Sequence, residues 1–230
     1  MDSPGISHTE TPGLPVCVEG VTDEDFISEL NRQTSDLTLN IRDCGGKKGV
    51  LESMVVLADV QIKRFCAFLD IDDSSPGDIL QQVENKLEGN FDDVERPDTN
   101  IFHVDGYSQI HVGCIGLYEN DTLREYGVTR HAMEDHALNL LLTDEDIVPR
   151  LSDTSIDTLD QFKGALNEQK LSIEDHIGEV DKSKILLKLS IVLLGYDGDN
   201  NTFIKNVLRC TENDLKDHSS TKEVVKIINM

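Results

Sequence analysis

Acidic side chains follow two apolar segments of the sequence at the points where those segments end. Glu19 comes directly after Leu14–Val18, and Asp70 and Asp72 close the run RFCAFLDID. In a strand, alternate residues share a face, so Asp70 and Asp72 present two carboxylates together while Ile71 faces away. Crowded carboxylates repel one another unless a cation neutralises them, and Mg²⁺ prefers oxygen ligands. These residues predict a divalent-metal site; the alternative is that they only solvate a loop.

Further acids lie near the same expected edge of a sheet. Asp73 follows the D-x-D pair directly, and Glu134 and Asp135 open a later predicted helix. Asp105 and Glu119 follow two other predicted strands, and for them a solvated loop is the favoured interpretation.

Cations are rare near these acids. Lys47 and Lys48 lie in the segment CGGKKG, with Arg42 just before it, and are candidates for contact with phosphate. The segment lacks the spacing of a Walker loop. His131 and His136 are five residues apart, about 140° around a helix, so they diverge and do not predict a zinc site.

Strand and helix patterns alternate over residues 14–145, which is typical of an α/β fold with a mostly parallel sheet. We expect four or five strands, helices on both faces, and a helix after the first strand capped by Thr22. The expected helix of residues 50–60 follows the CGGKKG loop. Residues 1–13 are predicted to be a disordered tail, and residues 146–230 a helical extension packed on the α/β domain. The predicted strands are Leu14–Val18 and residues 37–43, 64–71, 100–106 and 111–120.

The composition limits location and partners. The chain has 230 residues, 44 acidic and 21 basic, and a formal net charge of −23. It shows no basic, apolar leader and no apolar run long enough to cross a membrane, so we expect a cytoplasmic protein. So acidic a surface repels nucleic acid, which leaves three interpretations. A salty cytoplasm screens the charge, a bound metal bridges to phosphate, or the protein does not bind nucleic acid.

Two short motifs resemble the Toprim signature. VEGVTDEDF (residues 18–26) resembles its Glu-containing first motif, and FLDIDDS (residues 68–74) resembles its D-x-D motif. CGGKKGVLE, GCIGLYENDTL and MEDHALNLL are similar to segments of a small standalone Toprim-related family of archaeal and bacterial proteins. The resemblance covers residues 14–145. One departure is Asp73, a third acid where Toprim proteins usually carry a basic or polar residue.

The resemblance implies roles for individual residues. It makes Glu19 a metal ligand or general acid/base. Lys47, a rare cation near the acidic edge, is expected to take part in catalysis by contacting phosphate. The resemblance makes Asp70 and Asp72 ligands of Mg²⁺ or Mn²⁺. The acidic cluster of the related OLD-type nucleases implies Glu134 as a further ligand. The remaining candidates are Asp23, Asp73 and Asp135.

Three hypotheses about function remain open. The first is a metal-dependent nuclease or other phosphodiester-processing enzyme that meets nucleic acid weakly, through metal. The second is a catalytically inactive Toprim-fold regulatory or protein-interaction module, and the third is an enzyme acting on small phosphate compounds. We expect no membrane partner. The apolar stripe of residues 185–194 is interpreted as a core helix, with a contact in a homo-oligomer as the lesser alternative.

Overall fold

The computed structural model describes residues 13–129, 131–174, 182–211 and 214–230. The predicted disordered tail lies, apart from Gly13, outside the described residues. No helix in these ranges is both long enough and apolar enough to cross a membrane.

A six-stranded sheet in the order β2-β1-β3-β6-β5-β4 forms the centre of the fold. Strands β2, β1, β3 and β6 are parallel, whereas β5 runs antiparallel to β6 and β4 antiparallel to β5. The strands are β1 (Leu14–Val18), β2 (Leu39–Asp43), β3 (Arg64–Asp70), β4 (Val94–Asp98), β5 (Ile101–Val104) and β6 (Ser108–Ile115).

Helices connect the parallel strands and build the second half of the chain. They are α1 (Val21–Thr34), α2 (Lys47–Asp59), α3 (Pro76–Glu88), α4 (Asp121–Glu125), α5 (Glu134–Thr143), α6 (Ile147–Leu151), α7 (Leu159–Glu174), α8 (Lys182–Leu193), α9 (Asn200–Cys210) and α10 (Lys222–Asn229). The sequence of helix α3 determines both of its ends. The side chain of Ser75 accepts a hydrogen bond from the N–H of Asp78 at the start, and Gly89 follows the last residue.

Both faces of the sheet are covered, as predicted. Helices α2 and α3 pack on one face, where Met54 and Val83 meet Phe65 of β3 in a buried apolar core. On the other face, Phe68 shares a second core with α1, α5 and the C-terminal helices. Phe203 of α9 lies in this second core, so the helical region after residue 146 packs on the sheet.

Several details of the sequence prediction were wrong. The sheet has six strands, whereas four or five were expected. The sequence did not indicate β4 because VERPD carries charges and a proline and lacks an apolar pattern. Helix α1 begins at Val21, and Gly20 rather than Thr22 occupies its cap. Helix α2 begins at Lys47, three residues before Val50. Since β5 is antiparallel, Asp105 lies at the edge of the sheet opposite the carboxyl ends of the parallel strands.

The stripe of residues 185–194 is a core element, as interpreted. Leu186, Leu187 and Leu194 are buried against the second core. Val192 lies on the outer side of α8, with 74% of its surface exposed.

Candidate functional site

The ends of β1 and β3 bring Glu19 and Asp70 together. These strands are neighbours and parallel, so their carboxyl ends meet at one edge of the sheet. The Oε1 atom of Glu19 accepts a hydrogen bond from the backbone N–H of Asp70 at 2.8 Å. Burial raises the pKa of Glu19, although this hydrogen bond and the positive charge of Lys47 oppose the shift.

A glycine turn holds the backbone of Glu19. The N–H of Gly46 donates to the carbonyl oxygen of Glu19 at 2.6 Å. Gly46 has φ +103°, a conformation that side-chain-bearing residues rarely adopt. The next residue, Lys47, begins α2, so this turn delivers a cation to the acidic edge.

Asp70 is the most perturbed carboxyl group at this edge. Its Oδ1 atom is buried and has no hydrogen-bond partner in the described part of the chain. Burial raises its pKa from 3.8 to about 9, and the negative charges of Asp23, Glu19, Glu134 and Asp72 contribute in that order. Burial and the charges of four other acids therefore all disfavour ionisation of Asp70.

Two helices on one face of the sheet contribute Asp23 and Glu134. Asp23 lies in the first turn of α1, is 7% exposed, and accepts a hydrogen bond from the N–H of Gly20 at 2.9 Å. Burial raises its pKa to about 6, with further contributions from the charges of Glu19 and Glu134. Glu134 begins α5 and is 8% exposed. The structure therefore adds both residues to the group around Asp70.

Asp72 joins this edge to Lys47 and to His131. Its Oδ2 atom lies 2.9 Å from Nζ of Lys47. Its backbone forms two hydrogen bonds with the backbone of His131, at 2.7 and 2.9 Å. Asp72 lies beyond the end of β3 and has φ +54°, so the chain turns here and the predicted strand alternation of Asp70 and Asp72 is wrong. Asp73 points into solvent beyond the turn, and Lys48 faces Glu52 on the exposed side of α2.

The family comparison matches most of the chain. Residues 15–201 match the model of a family described as a protein of unknown function, DUF3226. The chain belongs to this family. No curated protein and no solved structure gives a match.

In this DUF3226 member, Asp135 is committed to contacts away from Asp70. It is fully buried, and its Oδ2 atom lies 2.8 Å from Nδ1 of His131 and 3.1 Å from the N–H of Leu117. Its Oδ1 atom accepts a hydrogen bond from the hydroxyl of Ser183. Asp135 therefore orients His131 beside the candidate site. Sequence reasoning missed this pair, although the four-residue spacing of His131 and Asp135 could have indicated it.

His136 has a separate, structural role. Its Nε2 atom accepts from the N–H of Gly116 at 3.1 Å, and Nδ1 donates to the carbonyl oxygen of Ser220. Burial lowers its pKa, although the hydrogen bond to Ser220 opposes the shift, and Nε2 can accept from Gly116 only while it carries no proton. His136 thus links β6 to the segment before α10, while His131 bonds to Asp135.

The donor set at the acidic edge fits a hard divalent cation. In the described ranges, no three histidine, cysteine or acidic side chains already lie close enough together to hold a metal ion. The buried Oδ1 atom of Asp70 nevertheless lacks a partner, and the surrounding donors are carboxylate oxygens. Mg²⁺ and Mn²⁺ prefer such oxygens and keep several waters of their own, so they need few protein ligands.

Proposed function

We propose that this chain is a Toprim-like divalent-metal-binding protein and a metal-dependent nuclease or related phosphodiester-processing enzyme. The observation that carries the proposal is the buried, unpartnered Oδ1 atom of Asp70 among four other acids. A carboxyl group in that environment gains most from a cation, because the cation offsets both the burial and the repulsion that keep it protonated. Glu19 after β1 and the D-x-D pair at the end of the neighbouring β3 follow the order of the two Toprim motifs.

Glu19, Asp70, Asp72 and Glu134 are the residues that we propose to hold Mg²⁺ or Mn²⁺, with Asp23 beside them. When bound, such a metal neutralises phosphate charge and lowers the pKa of a coordinated water. Lys47 lies at the same edge and is the cation best placed to contact a phosphate oxygen. Nucleic acid would then bind weakly and through the metal, since the net charge of −23 opposes its approach.

A catalytically inactive Toprim-fold module is the second candidate, and one contact favours it. Lys47 is already paired with Asp72 at 2.9 Å, so a substrate phosphate must compete with that carboxylate. A protein that keeps the fold and the metal without turnover would retain this ion pair in all states.

Calorimetric titration with Mg²⁺ and Mn²⁺ tests the metal site. We expect wild type and Asp73→Asn to bind, and Asp70→Asn to lose binding, because Asp73 is exposed while Asp70 lies at the centre of the cluster. A plasmid-nicking assay with Mn²⁺ then separates the two candidates. Metal binding without nicking favours the inactive module, whereas equal metal affinity in wild type and Asp70→Asn contradicts the site itself.

A further inference from the structure

Three basic side chains lie together near the edge of the sheet opposite the candidate metal site. The strand register aligns Arg64, the first residue of β3, with Gln109 of β6, and Gln109 with His103 of β5. His111 lies two residues further along β6 and therefore on the same face. His111 is aligned with Cys66, whose thiol contacts the backbone of α10, so α10 packs on this face.

The polar atoms of this cluster are buried without partners. His111 is 1% exposed, and neither of its ring nitrogens has a hydrogen-bond partner in the described part of the chain. The Nε and Nη2 atoms of Arg64 are likewise buried and unpartnered there. Leaving a buried polar group without a hydrogen bond destabilises the fold, so four such atoms in one place call for a ligand that satisfies them.

The cluster is also electrostatically unbalanced. Burial lowers the pKa of His111 to about 4, and the next contributions come from the positive charges of Arg64 and His103. No acidic group is among the causes of this shift, in a chain that carries 44 acidic residues. The unbalanced charge is that of Arg64, whose buried Nε and Nη2 atoms favour an anion beside them.

Another arginine of the same chain shows what the two nitrogens of Arg64 can hold. Arg209 donates two hydrogen bonds to the carboxylate of Glu29, from Nε at 3.0 Å and from Nη2 at 2.7 Å. These two nitrogens lie along one side of the guanidinium and match two oxygens of a carboxylate or phosphate. Arg64 presents the same pair without a partner among the described residues.

The cluster has a route to solvent. Arg64 and His103 are themselves only partly buried. A small ion can therefore reach Arg64 without opening the apolar core.

We propose that Arg64, His103 and His111 form a binding site for a small oxyanion, phosphate or carboxylate, that places two oxygens against Nε and Nη2 of Arg64. The site lies at the amino edge of the sheet, whereas the candidate metal site lies at the carboxyl edge. It is thus independent of the proposed metal chemistry, and neither proposal depends on the other.

Thermal unfolding with inorganic phosphate, acetate or chloride at matched ionic strength tests this site. We expect phosphate or acetate to raise the melting temperature of wild type above the value in chloride. In Arg64→Met the apparent dissociation constant of the ion that stabilises wild type should rise by roughly tenfold or more, because the two hydrogen bonds from Nε and Nη2 are lost. Arg124→Met is the matched control: it removes the same charge from an exposed position on α4 and should leave the dissociation constant unchanged.

An NMR titration of wild type gives a second measurement that does not depend on the variant folding. Phosphate or acetate should shift the His111 ring resonances and leave those of His136, which lies at the other edge, unchanged. The ion that saturates these shifts at lower concentration identifies phosphate or carboxylate as the ligand class. The absence of His111 shifts, or equal stabilisation by chloride, would overturn the proposal.

Discussion

The carboxylate of Glu19 accepts a hydrogen bond from the backbone N–H of Asp70, with 2.8 Å between Oε1 and N. This contact joins the end of β1 to the end of β3 across 51 residues of sequence. It fixes the Glu19 side chain beside the Asp70 carboxyl group, and the negative charge of Glu19 contributes to the raised pKa of Asp70. Protonation at this edge is therefore coupled to the stability of the fold, and the proposed metal binding should be coupled to it in the same way.

The first prediction concerns the pH dependence of the metal-free protein. Burial raises the pKa of Asp70 from 3.8 to about 9, so the folded state keeps a proton that the unfolded chain has lost. The folded state then binds more protons between these values, and the free energy of unfolding contributed by Asp70 falls as pH rises through that range. Urea unfolding in EDTA at a series of pH values should show this loss, on the order of a few kcal/mol.

Asp70→Asn should remove most of this slope, because the amide has no proton to lose. Asp73→Asn removes an exposed carboxylate three residues further along the chain and should keep the slope of wild type. An unchanged slope in Asp70→Asn would mean that Asp70 ionises normally and that its environment has been misjudged.

A second prediction separates the charge of Asp72 from its backbone conformation. Asp72→Asn should abolish metal binding and slightly stabilise the metal-free protein, since it relieves repulsion while losing a partly exposed ion pair worth about 0–1 kcal/mol. Asparagine tolerates the positive φ of this position, whereas alanine pays roughly 1–2 kcal/mol there. Melting temperatures with and without Mn²⁺ should therefore rank Asp72→Asn above Asp72→Ala. Equal metal-induced shifts in wild type and Asp72→Asn would contradict the assignment.

The two lysines at the start of α2 should behave differently. Lys47 lies against Asp72, while Lys48 is exposed and 3.6 Å from Glu52. We expect Lys47→Ala to reduce any Mn²⁺-dependent nicking and Lys48→Ala to leave it close to wild type, with Mg²⁺ affinity preserved in both. We also expect little binding to duplex DNA in EDTA, and tight binding there would show that the acidic surface conceals a basic one.

A fourth prediction concerns the ion pair between α1 and α9. Burial opposes ionisation of Glu29, but hydrogen bonds from Arg209, Arg32 and Gln33 outweigh it and lower its pKa from 4.5 to about 2. The stability from this group is thus complete above pH 4.5 and is lost as pH falls toward 2. Arg209→Met should lower the free energy of unfolding at neutral pH by roughly 1–3 kcal/mol, since two hydrogen bonds to a buried carboxylate are lost.

Acid titration supplies the check on that assignment. Arg209→Met should lose less stability than wild type between pH 5 and pH 2, because less of the favourable ionisation remains to be lost. Arg150→Met, which alters an arginine whose Nη1 atom donates to the carbonyl oxygen of Cys210, should retain the acid sensitivity of wild type. Identical acid curves for Arg209→Met and wild type would rule out the proposed coupling.

The fifth prediction compares two glycines. Gly116 has φ +111°, and a Cβ there would lie 2.7 Å from the carbonyl carbon of His131. Gly116→Ala should therefore destabilise the protein and displace His131 from Asp72. Gly164 lies in α7 with open space around it, so Gly164→Ala should stabilise by up to about 1 kcal/mol. Thermal unfolding that shows both changes to be neutral would contradict the packing at Gly116.

The sequence by itself determined the fold class and most elements. Strand β1 has the predicted bounds, because its apolar residues are followed at once by Glu19 and Gly20. The continuous apolar run of β3 indicated a strand buried on both faces, and it lies between β1 and β6 with helices on either side. Such patterns depend only on residues close together in the sequence, so they can be recognised without knowing how the rest of the chain folds.

Only the tertiary structure decided which charged groups meet. The order of the strands puts Glu19 beside Asp70, helix packing brings Asp23 and Glu134 to them, and the direction of β5 carries Asp105 to the other edge. The grouping of Arg64 with His111 likewise follows from the register of β3 and β6. Hydrophobic periodicity fixes which face of an element is buried, but burial and charge at a site depend on neighbours distant in sequence. For that reason the sequence could name candidate acids, while the packed sheet decided which of them share an environment.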